Sequence, residues 1–334
     1  MISATAYQAA HGRAATIDRS DRGRIVVSGR DRAAYLQGLL TNDIVALKSG
    51  EGCYAAYLTP QGRMIADVFA YELGDVMLLT VPRAQQNSVL EKLDQMVFSE
   101  DVQLGDVTDT FFVVAVVGPA AAAVLRGVIG GTAEGIELLP EHGNRRVRFE
   151  DRAAVVTRVT DTGQAGYDIY VESHQARALR EALGAAGVAE ADAATAEALR
   201  IEAGIPRFGA DMDGDTIPLE AGIETRAISF SKGCYVGQEV IIRVLHRGHG
   251  RVARRLVGVV ADGEAAPPAG SHVTVDGREI GSVTSSTMSP ALGRPIALAF
   301  VHRDFVAPGT AVVVNGVPAT VAALPFVTVP SSGS

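Results

Sequence analysis

Hydrophobic positions along the chain follow two rhythms, one at helical spacing and one of short apolar runs between turn residues. Residues 23–29 read as a strand bounded by glycines. Behind it, Tyr35, Leu36, Leu39 and Leu40 form one face of a helix that Asp31 is placed to cap. β-rich runs follow at 53–59, 63–73 and 75–81; only Gly74 separates the last two, which predicts a hairpin. Pro82 then opens a helix with Val89, Leu90, Leu93, Met96 and Val97 on one side. The plan recurs further on. An apolar strand at 111–117 precedes an alanine-rich helix from Pro119 to Ile129, then strands at 145–149, 154–160 and 167–171. A helix capped by Ser173 ends near Gly187, and another over 192–203 stops at Gly204 and Pro206.

Beyond Gly250 the helical period is lost. Short strands alternate with turns at Asp262-Gly263, Pro267-Pro268, Asp276-Gly277, Pro308-Gly309 and Asn315-Gly316, the texture of a small β-barrel or sandwich. Asn315-Gly316, between 312–314 and 317–321, is the strongest hairpin signal. Helices mix with antiparallel-looking strands throughout, without the βαβ rhythm of a doubly wound sheet, so the predicted class is α+β.

Composition narrows the function classes. With 334 residues the chain is long enough for two or three domains, and 47% hydrophobic with 20% charged residues describes a globular protein. A net charge of −8 argues against nucleic acid as the main partner. Two cysteines build no disulfide framework, and no apolar run is long enough for a membrane helix, so the expected location is cytoplasmic.

Candidate chemistry centres on Lys232-Gly233-Cys234-Tyr235-Val236-Gly237-Gln238-Glu239. The segment leads into a helix whose apolar face is Ile241, Val244 and Leu245 and whose charged stripe is Glu239, Arg243 and Arg247, with Gly248 and Gly250 as its stop. A thiol ahead of a helix N-terminus, two residues from an ammonium, is set to ionise readily, which makes Cys234 a candidate catalytic residue. Cys53, in its apolar run, reads as a buried strand cysteine. Cys234, His246 and His249 match no standard zinc spacing, so no metal site is expected. Asp211, Asp213, Asp215 and Glu220 fail the calcium-loop template, which requires glycine and glutamate where Thr216 and Gly222 stand.

The cysteine octapeptide resembles the signature of YgfZ-type tetrahydrofolate-binding proteins, relatives of the glycine-cleavage T-protein. Tyr35–Asp43, Leu58–Asp67, Arg200–Pro206 and Ile217–Glu220 resemble further family segments. The resemblance implies two ferredoxin-like modules (1–109 and 110–248) and a C-terminal β-barrel (249–330) around a folate cavity. It implies tetrahydrofolate or a one-carbon derivative as cofactor, and iron–sulfur enzymes or cluster-assembly proteins as partners. Asp67 matches a folate-cavity aspartate of T-protein relatives and is a candidate for both catalysis and folate binding. Tyr167-Asp168, after Gly163-Gln164-Ala165-Gly166, resembles the relatives' Gly-Glu-x-Gly-Tyr-Glu segment, with aspartate for the pterin-binding glutamate. On this reading Cys234 sits at the cavity mouth beside Lys232, Gln238 and Glu239 position the loop, and Arg243 attracts the glutamate tail of folate. Ala196 stands where T-proteins carry a substrate-contacting arginine. The expected function is therefore assistance to iron–sulfur cluster assembly or repair. A tetrahydrofolate-dependent aminomethyltransferase is the alternative, and a folate-binding redox sensor is a third reading. Whether a reaction is catalysed stays open at this level.

Overall fold

A computed structural model describes residues 1–246 and 251–328. Arg247, Gly248, His249 and Gly250 lie outside the described residues. The chain opens with helix α1 (Ala4–Gly12) and strand β1 (Ala15–Asp18). The next segment supplies β2 (Arg22–Ser28), α2 (Arg32–Gln37), β3 (Gly52–Leu58), β4 (Met64–Glu72), β5 (Met77–Pro82), α3 (Gln86–Asp94) and β6 (Gln103–Asp106). Its strands form an antiparallel sheet in the order β3-β4-β5-β2-β6.

A second run follows: β7 (Phe111–Val117), α4 (Ala121–Ile129), β8 (Asn144–Phe149), β9 (Arg152–Val159), β10 (Gly166–Glu172), α5 (Ala176–Ala185), β11 (Ala189–Ala191) and α6 (Ala193–Glu202). The second sheet runs β11-β1-β7-β10-β9-β8, antiparallel except where β1 and β11 pair. The chain's first strand thus crosses over to the second sheet. Short helices α7 (Pro218–Ala221), α8 (Glu224–Ala227) and α9 (Gln238–His246) lead to a closed barrel of β12 (Arg254–Ala261), β13 (His272–Val275), β14 (Arg278–Ser289), β15 (Arg294–His302), β16 (Ala311–Val314) and β17 (Val317–Ala322). This is the predicted α+β architecture with a C-terminal barrel. The hairpin joining β16 to β17 turns at Asn315 (φ 48°) and Gly316 (φ 83°), the two positive dihedrals a two-residue turn of this kind requires.

Alternation along two strands explains where the chemistry sits. On β4, Ala66, Val68 and Ala70 pack into the core of the first module, which leaves Asp67, Phe69 and Tyr71 on the opposite face. On β10, Tyr167, Ile169 and Val171 enter the second module's core, which leaves Asp168 and Tyr170 on the opposite face. These free faces meet: Tyr71, Leu78, Val113 and Tyr170 form a common apolar cluster between the sheets. Every residue of β5 is buried, as expected of a strand covered on both sides.

Local expectations needed adjustment at four places. Ser173 does not cap α5; it opens a 3₁₀ turn (Ser173–Gln175) ahead of that helix, and its Oγ donates to the Asp109 carbonyl at 2.6 Å. Asp31 does not cap α2; its carboxylate accepts from the Asp101 N–H at 2.8 Å. Pro82 ends β5, and a 3₁₀ turn (Arg83–Gln85) precedes α3. Met96 lies past the end of that helix and is exposed.

Candidate functional site

The inter-sheet space holds a cavity of about 290 Å³, walled by β4 and β10, by the turn between β1 and β2, and by α6 and the loop after it. Asp67 is buried in it and is held by Arg22, whose Nη1 donates to Oδ1 at 2.8 Å. The Tyr54 hydroxyl lies 3.3 Å from the other Asp67 oxygen. Arg22 also donates from Nη2 to the Thr80 carbonyl at 2.7 Å and lies over the Phe69 ring at 5.0 Å. Asp168 occupies the facing wall, where Arg19 donates to it from Nε at 2.9 Å and to Asp161 from Nη2 at 2.7 Å.

The two carboxyls on Arg19 are driven apart. Burial pushes Asp168 up; Arg19 opposes that and Asp161 reinforces it. Burial works against ionisation of Asp161 too, but Arg19, helped by Arg22 and Arg226, holds it below the usual carboxylate range. One wall therefore offers a carboxyl biased toward its proton next to one biased toward its charge. Burial and the Asp67 charge raise the Tyr54 phenol well above its ordinary value, so it stays a hydroxyl donor.

On the α6 side, Arg200 donates to Glu197 (Nη2 to Oε1, 2.6 Å), Asp211 (Nη1, 2.6 Å) and Ser285 of the barrel (Nη2, 2.9 Å). Thr284 Oγ1 donates to the other Asp211 oxygen at 2.5 Å. The apparent calcium-loop aspartate is thus a buried strut between α6 and the barrel. Ala196 lines the cavity beside Glu197 and brings no charge.

The sequence-selected residues separate into two places. Asp67 and Asp168 share the cavity. Tyr167 does not; strand alternation turns it into the second module's core. The octapeptide lies elsewhere too. Cys234 is exposed, and none of Lys232, Cys234, Gln238, Glu239 or Arg243 lines the cavity. The Lys232 ammonium is not directed at the thiol: Nζ donates to the carbonyls of Gln37 (2.6 Å), Leu40 (2.6 Å) and Asn42 (2.9 Å) and lies over the Tyr235 ring. Burial lowers its pKa to about 8. This lysine closes the C-terminal end of α2, where carbonyls lack helical partners. The Gln238 Oε1 accepts from the Tyr235 N–H at 3.3 Å, while Glu239 and Arg243 are exposed on α9. Ile241 enters the core, with Val244 and Leu245 against it. Cys53 is buried, which pushes its thiol up to about 12.

Sequence reasoning missed Arg19, Arg22, Asp161 and Arg226. The run Asp18-Arg19-Ser20-Asp21-Arg22 has the look of a solvated loop, and only the crossing of β1 to the second sheet turns it inward.

Two sheets with buried carboxylates and arginines between them, followed by a closed barrel, make a T-protein-like architecture, and comparison with known proteins agrees. The family model for the GCVT N-terminal domain matches residues 2–232, and that for the glycine cleavage T-protein C-terminal barrel domain matches 254–328. The Rubrobacter xylanophilus protein named aminomethyltransferase is 32% identical over 322 residues, covering 96% of this chain and 85% of its own. The aminomethyltransferase of Streptomyces avermitilis is 32% identical over 331 residues, 96% of this chain and 88% of its own. The crystal structure of glycine cleavage system aminomethyltransferase T from Bartonella henselae superposes with a TM-score of 0.87 at 25% identity, covering 97% of this chain and 89% of that one.

This chain belongs to the GCVT family. Proteins of this family bind tetrahydrofolate as substrate or cofactor. The iron–sulfur role expected from the octapeptide is overturned: the relatives that match along nearly the whole chain are named aminomethyltransferase. Eight residues outside the cavity are a weaker guide than similarity that extends over the cavity and barrel. No helix among the described residues is long and apolar enough to cross a membrane.

Proposed function

We propose that this chain is a tetrahydrofolate-dependent aminomethyltransferase that binds the reduced pterin in the cavity between its two sheets. One observation carries the reading: a buried carboxylate, Asp67, held by Arg22 and facing a second buried carboxyl, Asp168, across a space walled by Tyr54, Phe69 and Tyr71. A flat heterocycle with several N–H groups fits this donor set. The rings supply apolar faces, and the two carboxyls take up N–H donors that an apolar cavity leaves unpaired. The Thr162 hydroxyl and the Arg22 Nε–H, both buried without a partner, await further polar groups of a ligand.

Tetrahydrofolate, when bound, supplies the amine nitrogens that accept a one-carbon unit. The protein's part is positional and electrostatic. Asp67 accepts a hydrogen bond from, or exchanges a proton with, an amine at the reacting end. Arg22 fixes the orientation of that carboxylate. Asp168 and Asp161, sharing Arg19, offer a proton and an acceptor on the far wall. The test is formation of 5,10-methylene-tetrahydrofolate from an aminomethylated lipoyl carrier. Turnover that Asp67→Asn lowers by about a hundredfold, within the range of general acid–base catalysis, supports the proposal. A narrower second reading, folate binding without transfer, is favoured by Ala196, which leaves the α6 wall without a guanidinium. Saturable folate binding with no turnover selects it.

A further inference from the structure

Five arginines line the cavity, and they are not equally committed. Arg19, Arg22 and Arg200 each donate to a carboxylate at 2.9 Å or less. Arg207 is half exposed at the rim and shares Glu197 with Arg200. Arg226 is different. Its nearest carboxylate is Glu141, 3.5 Å from Nη2, and that same Glu141 oxygen already accepts from Thr160 at 2.7 Å and lies 3.5 Å from His142 Nε2. The Arg226 guanidinium instead lies over the Tyr54 ring at 5.3 Å, next to the phenol that reaches Asp67. Its backbone is fixed, since Asn42 Nδ2 donates to both the Arg226 and Tyr54 carbonyls.

A second observation falls on the lining of the same cavity. Thr162 follows Thr160 and Asp161 in the turn from β9 to β10, is 5% exposed, lines the cavity, and has no partner for its hydroxyl. A guanidinium whose carboxylate contact is long and shared, and a buried orphan hydroxyl lining the same cavity, are the parts of an oxyanion site awaiting its anion. The neighbouring negative charges are accounted for: Asp161 is bound by Arg19 and Asp67 by Arg22.

We propose that Arg226 and Thr162 form a carboxylate-recognition subsite of this cavity, with Arg226 as its specificity-determining residue. The carboxylate belongs either to the ligand that fills the cavity or to a small acid bound beside it. The first case rests on the folate reading, which supplies a ligand ending in glutamate.

Calorimetric titrations of wild type, Arg226→Gln and Arg226→Lys with three probes test it: tetrahydrofolate, tetrahydropteroate (the same molecule without glutamate), and acetate added to protein saturated with tetrahydropteroate. If the carboxylate is folate's own, Arg226→Gln weakens tetrahydrofolate by about tenfold and leaves tetrahydropteroate unchanged, the cost of one charge-assisted contact. Arg226→Lys recovers part of the loss, and Thr162→Val shows a smaller loss of the same sign. If it comes from a separate acid, Arg226→Gln abolishes saturable acetate binding and leaves both pterins alone. Identical behaviour of wild type and Arg226→Gln toward all three probes overturns the inference while the folate reading stands. Failure of wild type to bind either pterin overturns the folate reading instead; acetate added to the free protein then decides the inference by the same comparison.

Discussion

Arg22 and Asp67 meet at 2.8 Å inside the molecule, the arginine at the start of β2 and the aspartate in the middle of β4, two strands that are not neighbours in their sheet. The pair joins the loop that links the two sheets to the strand forming the cavity floor. It is nearly sealed, with side-chain exposures of 15% and 6%, so each partner depends on the other to offset its loss of hydration.

Removing the cation alone strands the anion. Arg22→Met is expected to destabilise the fold by about 3 kcal/mol, because Asp67 then remains buried and uncompensated. Urea unfolding measures this. The double variant Arg22→Met with Asp67→Asn is expected to regain part of the loss, whereas additive losses would show that the two side chains are not coupled.

The cysteine loop is latched to the hairpin that leads into β4. Gly237 has φ +85°, and a Cβ there would come within 2.5 Å of the Thr59 carbonyl; Gly62, at φ +73°, would meet Val240. Gly237→Ala is therefore expected to cost about 1–3 kcal/mol of local strain and to loosen residues 232–237. Limited proteolysis should cut this loop faster in the variant; an unchanged cleavage rate and melting temperature would refute the latch.

Cys234 stands outside the cavity, and its own replacement should be mild. Cys234→Ala is expected to bind tetrahydrofolate within about twofold of wild type, as surface substitutions usually do. A loss of tenfold or more, seen by titration, would place the thiol in the binding site after all.

His142 gives a pH signature. Burial lowers its pKa to about 4, so the folded protein holds it neutral while the unfolded chain protonates it near 6.5. Its contribution to stability is intact above 6.5 and is lost as pH falls toward 4. The asparagine variant keeps a residue that tolerates the positive φ at this position. Relative to His142→Asn, wild type should lose up to about 3 kcal/mol between pH 7 and pH 4, read as a widening gap in melting temperature. Parallel curves for the two proteins would contradict this.

Much of this fold is legible in the residues. The alternation in β4, the apolar run of β7 and the Asn315-Gly316 turn each state their element locally, and the observed strands fall within a residue or two of the expected ones. What escaped notice was short or dependent on distant partners. α1 and β1 are a nine-residue alanine-rich helix and four residues of strand, and their place becomes defined only when β1 pairs with β7 and β11. The site divided the same way. Asp67 and Asp168, which line the cavity, were singled out because each belongs to a segment with a recognisable pattern. Arg19, Arg22 and Arg226 were not, because a charged residue in a loop reads as solvated until the loop is seen to turn inward. Cys234 shows the opposite case: its local setting suggests activation, and only the fold shows it outside the cavity with Lys232 bound to three carbonyls of α2's exit.

The most direct test of the account is a titration of the intact protein with tetrahydrofolate, run in parallel on wild type and Asp67→Ala. The inter-sheet cavity as the folate site predicts saturable binding by wild type and at least about tenfold weaker binding by the variant, the loss of one buried charged acceptor. Equal affinities in the two proteins, with both folded, would contradict it.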